Sequence, residues 1–290
     1  MIRRLALIGV GLIGGSLVRA LREKNLCNDV VGCGRSADNL KKAVELGVID
    51  RYEHSAAKAV EGADMVVVAV PLGAMQSVFS DIVPHLADDA VVTDVGSSKA
   101  GVIADLLAVT KTCPAWFVPG HPIAGTEKSG VEASFSTLFQ QRRVILTPTE
   151  QSSEVAVEKV RAMWTQVGAN VVSMGVERHD RVLAATSHLP HMLAFAFVNQ
   201  LAGMPAADDV FKFAAGGFRD FSRIASSDPT MWRDIFIGNK TAVLDGIKGF
   251  QKEMQLFSRA IENEDAEFII EYIQNSKKTR DDFVELIQSS

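Results

Sequence analysis

The sequence predicts an α/β N-terminal domain with a mostly parallel sheet, followed by an all-α C-terminal domain. In the first half, short and almost wholly apolar segments alternate with amphipathic helical segments, which is typical of a parallel sheet covered on both faces. From about residue 176, strand patterns disappear and long helical patterns replace them. We therefore expect a first domain over residues 1–172 and a second over residues 173–290.

The individual elements follow from these patterns. The predicted strands are short apolar segments bounded by turn residues: Leu5–Gly9, Val30–Gly34, Met65–Val70, Val91–Val95, Trp116–Val118 and Val144–Leu146. The predicted helices carry an apolar stripe at helical spacing: Leu12–Lys24, Asp38–Leu46, Arg178–Leu201, Ala207–Phe213, Trp232–Glu262 and Ala266–Gln288.

A glycine motif joins the first strand to the first helix. Gly9, Gly11 and Gly14 have the spacing G-x-G-x-x-G. Leu12 and Ile13 lie between the second and third glycines and begin the predicted helix. The first glycine permits a tight turn, the second lets a pyrophosphate approach the backbone, and the third packs helix on strand. In this strand-turn-helix context the motif predicts a Rossmann-type domain, and we expect these five residues to contact a dinucleotide.

The end of the second strand bears on which dinucleotide is bound. NAD-preferring domains place an acidic residue there to bind the adenine ribose, whereas this chain has Gly34, Arg35 and Ser36. Asp38 is close by but falls in the first turn of the next predicted helix. A guanidinium can bind a 2′-phosphate, so we favour NADP over NAD, with Arg35 and Ser36 as cofactor contacts.

Two further strands end in residues suited to ligand binding, since ligands of open α/β sheets bind at the carboxyl ends of strands. Val70 and Pro71 end one strand and are expected to contact the cofactor. Ser97 and Ser98 follow another strand. Ser97 is expected to touch both nicotinamide and substrate, although either serine could instead cap the following helix.

His121 follows the strand Trp116–Val118 and is flanked by turn residues. The reference pKa of histidine lies near 6.5, so His121 can accept a proton from a substrate hydroxyl at neutral pH. His188 and His191 head an apolar helix, where one of them can be a structural histidine with its hydrogen bonds satisfied. The remaining histidines are interpreted as peripheral: His54, His85 and His179.

Composition limits the classes of partner. The 290 residues include 47% hydrophobic and 22% charged residues, with a formal net charge of −5. There is no basic run for nucleic acid and no apolar run of membrane-spanning length, so we expect neither partner. The three cysteines are scattered and show neither metal nor disulfide spacing. These features favour a soluble cytoplasmic protein without a metal site.

Five segments occur in order along the chain: GVGLIGGS, DVGSSK, GHPIAGTEKSG, SHLPH and RDFSRIASSDPTMWRDI. Together they resemble the prephenate and arogenate (cyclohexadienyl) dehydrogenases of tyrosine biosynthesis over nearly the whole chain. The resemblance implies oxidative decarboxylation of prephenate or arogenate to 4-hydroxyphenylpyruvate or tyrosine, with hydride transfer to NAD(P). Aromatisation of the ring drives such a reaction.

The resemblance also implies roles for single residues. His121 is similar to the catalytic histidine bonded to the ring hydroxyl, and Ser97 to the serine that orients that hydroxyl and the nicotinamide. Arg223 resembles the arginine that binds the substrate carboxylate, a task that suits a planar guanidinium. His191 resembles a second histidine of the substrate pocket. A gating segment and its partners complete the implied substrate site: Thr126, Glu127, Trp232 and Asp220.

Assembly and alternatives follow from the same sequence. The second domain is short yet rich in large apolar residues, and C2 dimers are the commonest soluble assemblies, so we expect a homodimer through the C-terminal helices. One alternative is another dehydrogenase with a helical second domain, of the β-hydroxyacid or pyrroline carboxylate reductase type. A second alternative is a non-catalytic NADP-sensing protein, which would need no histidine directed at a hydroxyl.

Overall fold

The computed structural model describes residues 1–126, 128–205 and 207–288. Its strands are β1 (Ile2–Ile8), β2 (Cys27–Cys33), β3 (Arg51–Glu53), β4 (Met65–Val68), β5 (Val91–Asp94), β6 (Phe117–Val118), β7 (Gly120–Pro122), β8 (Arg143–Leu146) and β9 (Asn170–Ser173). Its helices are α1 (Leu12–Glu23), α2 (Ala37–Glu45), α3 (Ala56–Val60), α4 (Met75–Ile82), α5 (Lys99–Thr110), α6 (Glu154–Gln166), α7 (Val176–Leu183), α8 (Leu189–Ala202), α9 (Ala207–Lys212), α10 (Gly216–Ser222), α11 (Pro229–Gly238), α12 (Lys240–Glu262) and α13 (Ala266–Gln288). None of these helices combines the length and the apolarity needed to span a membrane.

The first six strands form one parallel sheet in the order β3-β2-β1-β4-β5-β6. This is the strand order of the Rossmann fold, so the predicted α/β fold is confirmed. Successive residues of β1 point to opposite faces: Leu5 and Leu7 join one core cluster, and Ala6 and Ile8 join the other. Residues of α1, α2 and α6 cover the first face, and residues of α3, α4 and α5 cover the second. Burial on both faces explains the near-continuous apolar strands of the sequence.

A second sheet, in the order β7-β8-β9, was not predicted. The chain leaves the first sheet at Pro119, which has no N–H for a strand ladder and whose carbonyl accepts the backbone N–H of Thr147 (2.9 Å). Strand β7 then pairs antiparallel with β8, placing His121 opposite Ile145. His121 therefore lies on a strand of this second sheet, just beyond the carboxyl edge of the first.

The predicted helix over residues 178–201 contains a π-helical turn at Ala184–His188, between α7 and α8. Pro190 lies in the first turn of α8 and has no N–H for the regular helical bond, which accounts for the widened turn. In an unbroken α-helix, two side chains 12 residues apart point in directions that differ by about 120° around the helix axis. A π turn takes up one extra residue and reduces this difference to about 20°. The π turn thus brings positions 179 and 191 to one face.

The prediction of a single helix over residues 232–262 is wrong, because the helix is interrupted at Asn239. Helix α11 begins earlier, where Asp228 accepts the N–H of Met231 (2.7 Å) and Pro229 occupies the first helical position. Asn239 ends α11 in a non-helical conformation and donates its side-chain amide to the carbonyl of Asp180 (2.7 Å). A long-range hydrogen bond therefore sets this helix boundary.

Contacts divide the chain into two compact units, Met1–Lys240 and the remainder from Thr241. All residues of the candidate site discussed below lie in the first unit. In the second unit, the rings of Phe257 and Tyr272 lie 5.3 Å apart, and the Tyr272 hydroxyl donates to Glu253 (2.9 Å). The predicted domain boundary between residues 172 and 173 stays a prediction.

Candidate active site

The turn between β1 and α1 requires its glycines for different reasons. Gly9 has a φ of 101°, and a Cβ there would lie 2.3 Å from the Ala69 carbonyl oxygen. A Cβ on Gly14 would lie 2.7 Å from Leu7, so this glycine lets α1 pack on β1. A Cβ on Gly11 would meet none of the described residues within 4 Å, and α1 begins without a side-chain cap. The turn thus fits a dinucleotide, whose pyrophosphate can approach Gly11 and the free N–H groups of α1.

Other predicted cofactor residues border the same turn. Leu12 and Ile13 form the first turn of α1. A Cβ on Gly9 would lie 3.1 Å from the side chain of Val70, and Pro71 follows Val70 beyond β4. These four predicted residues therefore lie at the carboxyl edge of the sheet, next to the glycine turn.

The loop after β2 carries the residues predicted to select the cofactor. Ser36 accepts the backbone N–H of Asn39 (3.2 Å) and so caps α2. Arg35 is exposed and forms no hydrogen bond or ion pair with any residue that the structure describes. Asp38 lies in the first turn of α2, as expected. Arg35 is therefore a charged group at this end of β2 that has no partner among the described residues.

A buried ion pair joins the end of β5 to the strand that carries the catalytic candidate. Lys99 and Asp94 are both fully buried and contact each other. Lys99 also donates to the carbonyl of Gly120 (2.6 Å), and Asp94 accepts the N–H groups of Gly96 (2.7 Å) and Gly120 (3.2 Å). Burial lowers the pKa of Lys99, opposed by the charges of Asp94 and Asp180. This network fixes the backbone next to His121.

Neither serine after β5 caps α5, so that alternative is wrong. Ser98 occupies the cap position but donates to the carbonyl of Gly238 (2.8 Å) at the end of α11. The side chain of Asp180 accepts the first two N–H groups of α5 instead, at 2.8 and 2.9 Å. Ser97 is half-buried and forms no hydrogen bond with the residues described, so its hydroxyl is available to a ligand.

His121 is the first member of a buried hydrogen-bonded chain. Its Nδ1 lies 2.9 Å from Nε2 of His179, and Nδ1 of His179 lies 2.8 Å from Oδ1 of Asp180. Burial lowers the pKa of His121 well below 6.5, and the nearby Lys99, His179 and His188 act in the same direction. His121 is therefore neutral at pH 7 and able to accept a proton.

The interpretation of His179 as peripheral is wrong, since its side chain is fully buried. His179 lies in a charged stretch of sequence, Glu177–Arg181, which is typical of a solvated helix face. Its burial depends on packing against β7, which no local pattern indicates. By contrast, His54 and His85 are exposed as predicted.

His188 is the structural histidine of the SHLPH segment. It is 1% exposed, and its Nδ1 accepts the side-chain amide of Asn239 (3.1 Å). Burial lowers its pKa to about 4. The Asp180 carboxylate opposes this shift, and the neighbouring His179 and His191 act in the same direction as burial. The ring lies 6.0 Å from that of Trp232. His188 therefore links the helical segments and stays uncharged.

His191 and Trp232 form the wall of the predicted substrate site. Their rings stack with centroids 3.8 Å apart and an interplanar angle of 24°. Nδ1 of His191 donates to the carbonyl of Ser187 (2.9 Å), which leaves Nε2 for another partner. Burial lowers the pKa of His191, opposed by this hydrogen bond and assisted by the charge of Arg223. The structure thus brings three predicted substrate residues together: His191, Trp232 and Arg223.

The arginines near this wall differ in their partners. Arg233 forms two hydrogen bonds to Asp234 (2.7 and 2.8 Å), whose carboxylate also accepts the N–H of Gly73 (3.1 Å). Arg223 is exposed and forms no ion pair with any carboxylate among the residues described. A guanidinium beside His191 without a carboxylate partner is suited to bind the carboxylate of a ligand.

No hydrogen bond or ion pair among the described residues joins Thr126 or Asp220 to His191, Trp232 or Arg223. Thr126 is exposed, and its hydroxyl accepts the backbone N–H of Lys128 (3.2 Å). Asp220 is exposed on α10 and makes no hydrogen bond or ion pair within the described ranges. Glu127 lies outside the described residues. Their predicted roles stay predictions.

Two family models match the chain. The first, described as prephenate dehydrogenase, nucleotide-binding domain, matches residues 17–173. The second, described as prephenate dehydrogenase, dimerization domain, matches residues 176–275. Together the two matched ranges cover most of both halves of the chain.

Whole-chain relatives agree with these models. A cyclohexadienyl dehydrogenase of Zymomonas mobilis is 35% identical, over 96% of this chain and 95% of its own. The crystal structure of a prephenate dehydrogenase from A. aeolicus, in complex with hydroxyphenyl propionate and NAD+, is 40% identical and superposes with a TM-score of 0.90 over 97% of both chains. A Synechocystis arogenate dehydrogenase is 26% identical, with a TM-score of 0.82 over 97% of this chain and 99% of its own.

Proposed function

The chain belongs to the prephenate dehydrogenase family, and we propose that His121 is the residue that accepts the proton of the substrate hydroxyl in the family's reaction. The enzyme oxidatively decarboxylates prephenate, arogenate or both. The ring loses a hydride from C4 and its carboxylate as CO2, and it becomes aromatic. A bound nicotinamide supplies the hydride acceptor.

The observation that carries the role of His121 is its hydrogen-bonded environment. Its Nδ1 is engaged by His179, while Nε2 bonds to none of the residues described. Burial keeps the imidazole neutral, so Nε2 can take the hydroxyl proton as the hydride leaves C4. The same nitrogen returns this proton to the ring oxygen after CO2 departs, so the step consumes no net proton.

Ser97 is proposed to orient the ring hydroxyl. In the sequence it lies between Asp94, which is held by its buried ion pair with Lys99, and Ser98, whose hydroxyl donates to the carbonyl of Gly238. The backbone of Ser97 is therefore fixed on both sides, while its hydroxyl has no bond to a described residue. Such a group can donate to one partner and accept from another.

Substrate binding is proposed to rest on Arg223, His191 and Trp232. Arg223 carries a charge without a carboxylate partner among the residues described, and both possible substrates carry carboxylates. The stacked His191 and Trp232 present a flat surface next to that charge. Thr126, Glu127 and Asp220 are proposed to complete the site when the substrate is bound.

Arg35 is proposed to select NADP over NAD. It follows β2 with no acidic residue beside it, and it is free of ion pairs within the part of the chain that the structure describes. Arg35→Ala should lower kcat/KM with NADP about 10- to 100-fold, because a charge-assisted contact to a 2′-phosphate is lost. The value with NAD should stay within about twofold. An equal loss with both cofactors contradicts this role.

Domain division, assembly and location are also proposed. The two family models meet between residues 173 and 176, which supports a boundary near residue 172. The second matches a dimerization domain, and large exposed apolar residues on the C-terminal helices support a homodimer through them. A cytoplasmic location agrees with scattered, unpaired cysteines.

The reaction is tested by assaying the purified enzyme with prephenate and with arogenate, each with NAD and with NADP. At least one combination should form reduced cofactor and CO2 in equal amounts. Reduced cofactor without CO2 would indicate a dehydrogenase of the β-hydroxyacid type. Cofactor binding without turnover of either substrate would indicate a sensing protein.

A further inference from the structure

His179 is a buried ionisable residue to which the mechanism above assigns no role of its own. It lies between His121 on one side and Asp180 on the other, with no exposed surface. We propose that His179 and Asp180 are positioning residues, which hold His121 in the tautomer whose Nε2 carries no proton. This inference rests on the proposed role of His121 as the proton acceptor and deepens it.

The direction of each hydrogen bond follows from donor and acceptor chemistry. An ionised carboxylate only accepts hydrogen bonds, so Nδ1 of His179 must donate to Asp180. A neutral His179 then has an unprotonated Nε2, which can only accept. Nδ1 of His121 must therefore be the donor of the 2.9 Å bond between the two rings. A neutral imidazole carries one N–H, so Nε2 of His121 is left as an acceptor.

Asp180 is held in the ionised form that this reasoning requires. Burial acts to raise its pKa, but hydrogen bonds from His179 and from the backbone N–H groups of Lys99 and Ala100 outweigh burial. The pKa of Asp180 is consequently lowered below its ordinary value. The carboxylate therefore remains an acceptor across the neutral pH range.

The hydrogen bonds from His121 to His179 and from His179 to Asp180 can also form when His121 is protonated. When Nε2 takes the substrate proton, both nitrogens of the His121 ring become donors, and Nε2 of His179 still accepts from Nδ1. The bond between the rings thus need not change partners during the reaction. His179 and Asp180 would fix the ring orientation before and after proton transfer.

The tautomer can be read directly in the wild-type enzyme without substrate. Nitrogen NMR of 15N-histidine-labelled protein distinguishes a protonated ring nitrogen from an unprotonated one. At pH 7 we expect His121, assigned by comparison with the His121→Asn variant, to show a protonated Nδ1 and an unprotonated Nε2. A protonated Nε2 and an unprotonated Nδ1 would overturn the proposal, whatever the activity of the enzyme.

A matched pair of variants tests the consequence for turnover. His179→Phe keeps a ring of similar size but offers no acceptor, whereas the amide oxygen of His179→Gln can replace Nε2. We expect His179→Phe to lower kcat about 10- to 100-fold, with both KM values changed less than about threefold. His179→Gln should recover at least about tenfold of that loss.

The two variants also separate positioning from folding. His179→Phe should show a mixture of His121 tautomers while keeping its cofactor affinity. Equal kcat values for wild type and His179→Phe, or equal losses for the Phe and Gln variants, would overturn the proposal. If His121 has the expected tautomer but neither prephenate nor arogenate is turned over, the proposed function fails and the positioning role stands.

Discussion

At the scale of single residues, the site depends on which polar groups already have partners inside the protein. Arg233, Asp94, Lys99 and His188 are all engaged by neighbouring groups. Arg223 has no carboxylate partner among the described residues. A group without an internal partner is the one whose removal should alter ligand binding more than stability.

Arg223→Ala should therefore raise the KM for the cyclohexadienyl substrate about 10- to 100-fold, the equivalent of one lost charge-assisted hydrogen bond. The KM for the cofactor and the thermal stability should change little. Arg219→Ala is the matched control, since Arg219 is exposed on α10 four residues earlier and forms no ion pair within the described chain. Equal effects of the two substitutions on substrate KM would contradict the role of Arg223.

We expect His188 to make the stability of the protein depend on pH. Its pKa is about 4 in the native state, chiefly through burial, against 6.5 as its ordinary value. Between these values the unfolded chain binds a proton that the native state does not, so this stability is lost as pH falls from 6.5 to 4. The loss attributable to His188 is about 3 kcal/mol.

His188→Gln removes the titrating ring but keeps an acceptor for Asn239. Its free energy of unfolding, measured by denaturant titration, should fall less between pH 6.5 and pH 4 than that of wild type. His85→Gln is the control, since His85 is exposed and its variant should keep the wild-type pH dependence. Parallel pH dependences for wild type and His188→Gln would show that the ring is not buried in its neutral form.

At the scale of elements, the carboxyl ends of strands and the first turns of helices build the site. The turn from β1 to α1 presents the backbone that we propose to bind the cofactor, and the turn from β5 to α5 presents Ser97. In the turn from β1 to α1, a glycine is needed for folding where an added Cβ would collide with the protein, as at Gly9. Where an added Cβ would meet only open space, as at Gly11, we expect the glycine to be needed for ligand binding.

Gly11→Ala should weaken cofactor binding about tenfold or more, because its Cβ would project where the pyrophosphate approaches. Its free energy of unfolding should change by less than about 1 kcal/mol, since nothing lies within 4 Å of that Cβ. Gly9→Ala should instead lower the free energy of unfolding by about 3 kcal/mol or more, through its positive φ and the contact with Ala69. Calorimetric titration and denaturant unfolding separate these outcomes; a reversed order would contradict the assignment.

Local sequence patterns predicted the elements that local chemistry determines. The glycine turn and the apolar strands of the first sheet follow from spacing along the chain and are confirmed. The ligand site at the carboxyl ends of these strands stays a prediction. The break at Asn239 was missed because its cause is a hydrogen bond to Asp180, 59 residues away. The burial of His179 was missed for the same reason, since its partner His121 is 58 residues distant.

At the scale of the whole molecule, the chain carries the family's nucleotide-binding and dimerization domains. Large apolar side chains remain exposed on α12 and α13, among them Ile261, Ile270 and Ile273, each more than half exposed. Ile270 and Ile273 are three positions apart on α13, so they share one helix face, and contiguous exposed apolar surface marks interaction sites. A dimer through these helices would cover it.

The double variant Ile270→Glu, Ile273→Glu should raise the dimer dissociation constant at least about 100-fold, because two unpaired charges would be buried in the interface. Sedimentation equilibrium measures this constant. Val155→Glu is the matched control, on α6 and 71% exposed, and should leave the mass of the assembly unchanged. Dissociation by Val155→Glu but not by the double variant would place the interface elsewhere.

The account rests on His121 as the proton acceptor, and His121→Asn tests it most directly. Asparagine keeps a polar side chain near Nδ1 but offers no acceptor at the position of Nε2. We predict that kcat for prephenate or arogenate falls at least about 100-fold, while the dissociation constant of the cofactor, measured by calorimetry, stays within about twofold. Turnover by His121→Asn within about threefold of wild type would contradict the central claim.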